Sequence, residues 1–243
     1  MADLHVFPTR ANLADAAAAR IAEALAEAID ARGTASLVLA GGSTPEPVYR
    51  RLATTHVDAL DWSAVHVFWG DERCVPPDHP DSNYRMAHEA FLGALEIPDS
   101  RIHRMRCERG VEEAVDAYAT VLRTFFEDAD ALFDVTLLGL GEDGHTASLF
   151  PDSPLVDTPS GWVAHAEAPA SSPVKDRLTL TLPALSASRL VLFLVSGEGK
   201  REALHAILNP TENGLLPAAR VRPVGSLAWF VDEAAAGPMT TDG

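Results

Sequence analysis

The chain has 243 residues, with 19 Lys and Arg against 35 Asp and Glu, a formal charge of −16 at pH 7, and 47% hydrophobic residues. These are the proportions of a globular protein whose length can bury an ample core without covalent staples. A chain this acidic lacks the cations that neutralise nucleic-acid phosphates and is repelled by anionic membrane surfaces, so neither partner is expected.

Two cysteines, Cys74 and Cys107, are too few for a disulfide scaffold or a four-cysteine zinc site. The N-terminus lacks a basic segment followed by an apolar one, and the longest apolar runs are of strand length. The expectation is a single domain over residues 1–243 in a reducing cytoplasm, without cofactor or metal, ending in a loose tail at residues 237–243.

In chain order, Asn12 can cap a helix running to Arg32, with Leu13, Ala17, Ile21, Leu25 and Ile29 along one face and Gly33 as its stop. Ala35–Ala40 reads as a buried strand and leads directly into Gly41-Gly42-Ser43-Thr44-Pro45. Thr44 suits an N-cap and Pro45 the first helical position, predicting a helix over Pro45–Thr54. Val65–Trp69 is a strand, Ser82–Leu95 a helix, Arg101–Met105 a short strand and Val111–Phe126 an amphipathic helix. Val135–Leu140 is a strand ending in Gly139-Leu140-Gly141-Glu142-Asp143-Gly144-His145. Further strands are expected at Trp162–Ala166, Arg177–Leu182, Leu190–Ser196 and Ser226–Val231. A helix is expected at Glu198–Leu208 and a short one at Pro217–Ala219. Apolar strands alternating with amphipathic helices indicate an α/β fold with a parallel sheet covered on both faces. Ligands bind outside the carboxyl ends of such strands, so the two glycine-rich turns should face one crevice.

Several segments have the composition of a site. Gly41, Gly42, Ser43 and Thr44 bring backbone N–H groups, hydroxyls and a helix start together where an anion can sit; the bland alternative is a well-capped turn. No Lys follows the glycines, so this is not a Walker loop. Asp71-Glu72-Arg73 follows a strand and is either a solvated charge run or a source of one carboxylate, Asp71, and one phosphate fork, Arg73. Gly139, Gly141 and Gly144 formally match G-x-G-x-x-G, but Pro151 cuts short the helix a dinucleotide site needs. What remains there is His145 beside Asp143, an imidazole suited to moving protons near neutrality with a carboxylate to orient it. Of the 19 basic residues only Lys175 and Lys200 are lysines, and both fall near the ends of predicted strands. No G-x-S-x-G elbow and no H-E-x-x-H occurs, the remaining histidines show no metal-ligand spacing, and His165 stands alone within a strand.

Taken together, Leu39–Tyr49, Trp69–Pro76 with Ser82-Asn83, Leu137–Pro151, Arg177–Pro183, Ser196–Lys200 and Leu216–Asp232 resemble the stand-alone bacterial 6-phosphogluconolactonases. That family is related to glucosamine-6-phosphate deaminase. The resemblance implies a three-layer α/β sandwich with a mainly parallel, Rossmann-like sheet. It implies hydrolysis of 6-phospho-D-glucono-1,5-lactone to 6-phosphogluconate, the second step of the oxidative pentose phosphate pathway, by a monomer or weak homodimer. It makes His145 the general base, with Asp143 and Asp71 as carboxylates around base and sugar. Gly41, Gly42, Ser43, Thr44, Arg73, Arg177 and Lys200 become phosphate or substrate contacts. Two rival readings are a deaminase/isomerase-like enzyme and a non-catalytic sugar-phosphate sensor. The deaminases carry a glutamate five residues after the histidine, where this chain has Phe150. A sensor would normally carry a DNA-binding module, for which there is no room before residue 35.

Overall fold

A computed structural model describes residues 3–126, 133–157, 161–209 and 215–237. The strands are β1 (Asp3–Phe7), β2 (Ala35–Leu39), β3 (Val65–Trp69), β4 (Asp71–Arg73), β5 (Phe133–Gly139), β6 (Val163–Glu167), β7 (Asp176–Leu180), β8 (Ser188–Val195) and β9 (Ser226–Asp232). The helices are α1 (Arg10–Arg32), α2 (Pro45–Thr54), α3 (Asn83–Ala90), α4 (Val111–Phe125), α5 (Pro154–Asp157), α6 (Leu182–Ser186), α7 (Arg201–Leu208) and α8 (Glu233–Ala236).

Six strands form one sheet in the order β1-β9-β8-β5-β2-β3, with every neighbouring pair parallel. All five residues of β2 are buried, as are six of the seven of β5. A strand buried on both faces must be covered on both, which is why these segments read as continuous apolar runs. The remaining strands, β4, β7 and β6, form a small antiparallel sheet. Helix α1 lays Leu13, Ile21 and Leu25, all fully buried, into the core; each such side chain contributes about 1.5–3 kcal/mol by leaving water.

The order in which strands are added reverses between β2 and β5. From β2 the chain moves outward to β3, whereas β5, β8 and β9 follow one another on the other side. Such a switch point leaves a crevice at the carboxyl ends of the central strands, because the two connections diverge there.

Local departures from expectation have physical reasons. Helix α1 starts two residues before Asn12, because the Thr9 hydroxyl accepts the Asn12 N–H and is the cap. Thr44 has helical dihedrals and makes no side-chain cap bond, so its hydroxyl is not committed to α2. The Ser82–Leu95 helix breaks at Phe91, φ −155°, and continues only as a 3₁₀ turn over Leu92–Ala94. Arg101–Met105 makes one isolated bridge, Ile102 to Val67, because residues 99–101 are already wound into a 3₁₀ turn. Of the expected tail, residues 238–243 lie outside the described residues, and no helix among the described residues is long and apolar enough to cross a membrane.

One correction is covalent. Cys74 and Cys107 form a disulfide with a sequence separation of 33 residues, tying the end of β4 to the segment that leads into α4. Closing a loop of this length removes unfolded-chain entropy equivalent to about 3–4 kcal/mol. Cys74→Ser should therefore lower unfolding free energy by up to about that amount. Denaturant titration of oxidised, reduced and Cys74→Ser protein checks it; identical midpoints in all three would show that the bridge adds nothing.

Candidate active site

The carboxyl ends of four adjacent strands deliver the site. Along the sheet edge, β8 ends in the turn carrying Lys200, β5 in the turn carrying His145, β2 in Gly41–Thr44, and β3 runs on into β4 with Asp71 and Arg73. They enclose a cleft of about 610 Å³, the size of a small-molecule site. All ten residues singled out from the sequence line it: His145, Asp143, Asp71, Gly41, Gly42, Ser43, Thr44, Arg73, Arg177 and Lys200. Lys175 does not; it is exposed outside the cleft, so only one of the two lysines lies there.

The imidazole is held from one side. His145 Nδ1 lies 2.6 Å from Asp143 Oδ1, and the same carboxylate oxygen accepts the His145 backbone N–H at 3.1 Å. Burial pushes the Asp143 carboxyl up, but the two hydrogen bonds from His145 and its charge outweigh this and hold it below the usual carboxylate range. An ionised Asp143 accepts a hydrogen bond from Nδ1–H and so leaves Nε2 with its lone pair, the tautomer that a base needs. Gly141 makes this possible by close approach: a Cβ there would stand 2.1 Å from His145 Nδ1. The Phe150 ring lies 4.8 Å from the imidazole and covers its flank with hydrocarbon.

The cleft also has a cationic lining. Arg73 and Arg177 face each other directly across the antiparallel β4–β7 pair. Like charges in that register repel, and the Arg177 guanidinium is pushed down from its ordinary value by burial first and by Arg73 second. Arg177 is committed through Nε to the Val174 carbonyl and through Nη2 to Ser172 Oγ. Arg73 donates Nη1 to the Asp81 carbonyl at 2.6 Å, while its Nε is buried with no hydrogen-bond partner among the described residues. Two facing guanidinia, one with a buried Nε–H that finds no acceptor among the described residues, make a place an anion would stabilise. Gly42, φ 94°, takes the left-handed conformation in a turn that lines the same cleft, and Arg10 from the start of α1 donates to the Ser43 carbonyl.

Three supporting residues were not foreseen. Glu72, expected to be either solvated or merely a neighbour of Asp71 and Arg73, is 4% exposed and accepts the backbone N–H groups of Arg73, Asn83 and Tyr84 and the Ser82 hydroxyl. Burial pushes its carboxyl up against the opposing pull of those backbone donors. It fastens the start of α3 beneath Arg73. The buried Tyr49 hydroxyl donates to the Ala40 carbonyl and accepts its N–H, fixing the root of the Gly41–Thr44 turn. Asp232 accepts from Ser196 Oγ and the Gly197 N–H, and so holds the turn that presents Lys200. His165, read from the sequence as standing alone in a strand, lies outside the cleft and is paired with Asp176 at 2.9 Å across β6 and β7.

Residues 8–229 match the family model described as glucosamine-6-phosphate isomerases/6-phosphogluconolactonase. The chain belongs to this family. A 6-phosphogluconolactonase of Synechocystis is 41% identical over 89% of this chain and 88% of its own length. The human 6-phosphogluconolactonase is 40% identical over 98% and 93%. Among solved structures, the 6-phosphogluconolactonase of Thermotoga maritima superposes with TM-score 0.84 at 31% identity, covering 96% of this chain and all of that one. The fold is also that of a monomeric glucosamine-6-phosphate deaminase, TM-score 0.81 at 23% identity over 96% and 98% of the two chains. The expected α/β fold with a mainly parallel sheet thus holds.

Proposed function

We propose that this chain hydrolyses 6-phospho-D-glucono-1,5-lactone to 6-phosphogluconate in the pentose phosphate pathway, with His145 drawing the proton from the attacking water. One observation carries the assignment of roles: the Asp143-oriented imidazole and the facing Arg73–Arg177 pair line one and the same cleft. The named relatives support the substrate. A δ-lactone is an activated ester, so a positioned base and an anchored phosphate suffice. The phosphate sits among Arg73, Arg177, Lys200 and the Gly41–Thr44 turn, and that remote binding holds the carbonyl against the water near Nε2. Water attacks the carbonyl carbon, its proton passes to His145, and the ring C–O bond breaks, with the proton returned to the departing hydroxyl oxygen. Among the described residues, no set of three or more His, Cys, Asp or Glu converges as metal ligands, and the scheme routes no step through a metal.

The overall charge of −16 repels a phosphorylated substrate at long range, but salt screens that field beyond about 8 Å, leaving the local cations in control. The reading includes one domain, a monomer or weak homodimer, and a cytoplasmic setting; the Cys74–Cys107 bond stands against the last of these, since disulfides persist in oxidising compartments.

The test is turnover of freshly prepared lactone, followed by pH-stat above the spontaneous rate, beside ammonia release from glucosamine 6-phosphate. Lactone opening without ammonia is expected, because Phe150 offers no proton to transfer where the deaminases carry glutamate. Ammonia without lactone opening would reverse the assignment, and binding without turnover of either would favour the sensor.

A further inference from the structure

Ala147 is the sole non-glycine residue with positive φ among the described residues, at 48°. A left-handed alanine is costly and persists only where its surroundings demand it. Here the turn is pinned on both sides. Thr146 Oγ1 donates to the Gly139 carbonyl at 2.8 Å, and Ser148 Oγ donates to Asp71 Oδ2 at 2.7 Å. The Ser148 backbone N–H is held by Thr179 Oγ1, and Thr179 is the residue directly opposite Asp71 across β4 and β7. From the other side the Asn83 amide donates to the Asp71 backbone carbonyl at 2.9 Å and reaches Oδ1 at 3.4 Å. Ser148 is 1% exposed, Asn83 2% and Asp71 8%, and both Asp71 and Ser148 line the cleft.

We propose that Ser148 is a positioning residue which, with Asn83, fixes the Asp71 carboxylate as a stationary acceptor for a sugar hydroxyl of the substrate, rather than a group that moves a proton. This rests on the lactonase reading above. A carboxylate has about four lone-pair directions. Protein donors take one on each Asp71 oxygen, and the freedom left is to accept from a ligand hydroxyl in the open cleft. Asp71 is anchored through both oxygens and through its own backbone carbonyl, so the lone pairs that remain hold a fixed direction, which suits a hydroxyl acceptor. The strained Ala147 turn is what delivers the Ser148 hydroxyl to it.

The experiment compares wild type, Ser148→Ala, Asp71→Asn and the double variant. It measures kcat and KM for freshly prepared 6-phosphogluconolactone, and the inhibition constant of inorganic phosphate, which engages only the cationic lining. Ser148→Ala should raise KM about 3–10-fold, the scale of one misplaced hydrogen bond, with kcat within about threefold and phosphate inhibition unchanged. Asp71→Asn should also act mainly on KM, and adding Ser148→Ala to it should cost little more, because the two act through one contact. A tenfold or greater loss of kcat at unchanged KM in either variant would place Asp71 in the chemical step and overturn the proposal. So would unchanged kinetics in both variants, or phosphate inhibition that weakens in step with KM. If Ser148→Ala does not fold, Asp71→Asn alone decides by the same split. Wild type inactive on the lactone would instead sink the underlying reading, a different result from any of these.

Discussion

Replacing His145 with alanine should lower kcat by about 10²–10⁴-fold, the range a general base contributes, and leave KM within a few-fold of wild type. The reason is the separation of tasks within the cleft. The imidazole is fixed through Nδ1 to Asp143 at 2.6 Å, so what it offers substrate is Nε2 and a lone pair. Arg73, Arg177 and Lys200, proposed to hold the phosphate, belong to β4, β7 and the turn after β8, whereas His145 belongs to the turn after β5. Losing an interaction made mainly in the transition state lowers kcat and kcat/KM together. The pH profile adds a second readout. An acid limb of the wild-type profile should be absent from the variant. Asp143 does not confuse the assignment, because its carboxyl lies below the ordinary carboxylate range and stays ionised where histidine titrates. A variant with wild-type kcat and a raised KM would make the imidazole a binding group instead.

Much of this arrangement could be read from residues, and what escaped did so for identifiable reasons. β2, β5 and β8 announce themselves as apolar runs because each is buried on both faces. Pro45 marks the first residue of α2 because its fixed φ and missing N–H cost nothing there. The glycine turns then locate the cleft, since ligands in such sheets bind where the strands end. β4 was invisible by contrast: Asp71-Glu72-Arg73 has the composition of a solvated loop, and it is a strand only because β7 pairs with it. β1, with its mixed exposure at the sheet edge, lacks an apolar run for the same reason of position. Glu72 looks like any surface glutamate until four donors from Arg73, Ser82, Asn83 and Tyr84 are seen around it. The Cys74–Cys107 bond joins residues whose proximity only the folded path creates. The Asp71–Ser148 contact likewise spans 77 positions, and the strained Ala147 that forms it has no mark in composition.

Arg73→Ala should raise KM about 10–100-fold with kcat much less affected, and Arg73→Lys should fall between it and wild type. A charge-assisted hydrogen bond to an anion contributes about 1.5–3 kcal/mol, and 1.4 kcal/mol is a factor of ten. The guanidinium here is poised for that use. Its Nη1 is anchored on the Asp81 carbonyl, Nε is buried and unpartnered among the described residues, and Arg177 stands directly opposite. The two guanidinia repel one another across the strand pair, offset in part by Asp71, Glu72 and Asp81, and a phosphate dianion held by both would relieve that repulsion. Lysine keeps the charge but has neither the Nε–H nor the planar fork, and it cannot hold Asp81 and the ligand at once. Salt supplies the control. Raising ionic strength should raise the wild-type KM, and the alanine variant should respond less, having lost one of the charges that salt screens. A variant whose KM is unchanged at every salt concentration would move the phosphate away from β4 and leave Lys200 and the Gly41–Thr44 turn to hold it. One that loses kcat at constant KM would show instead that Arg73 acts on the reacting carbonyl, at the other end of the sugar.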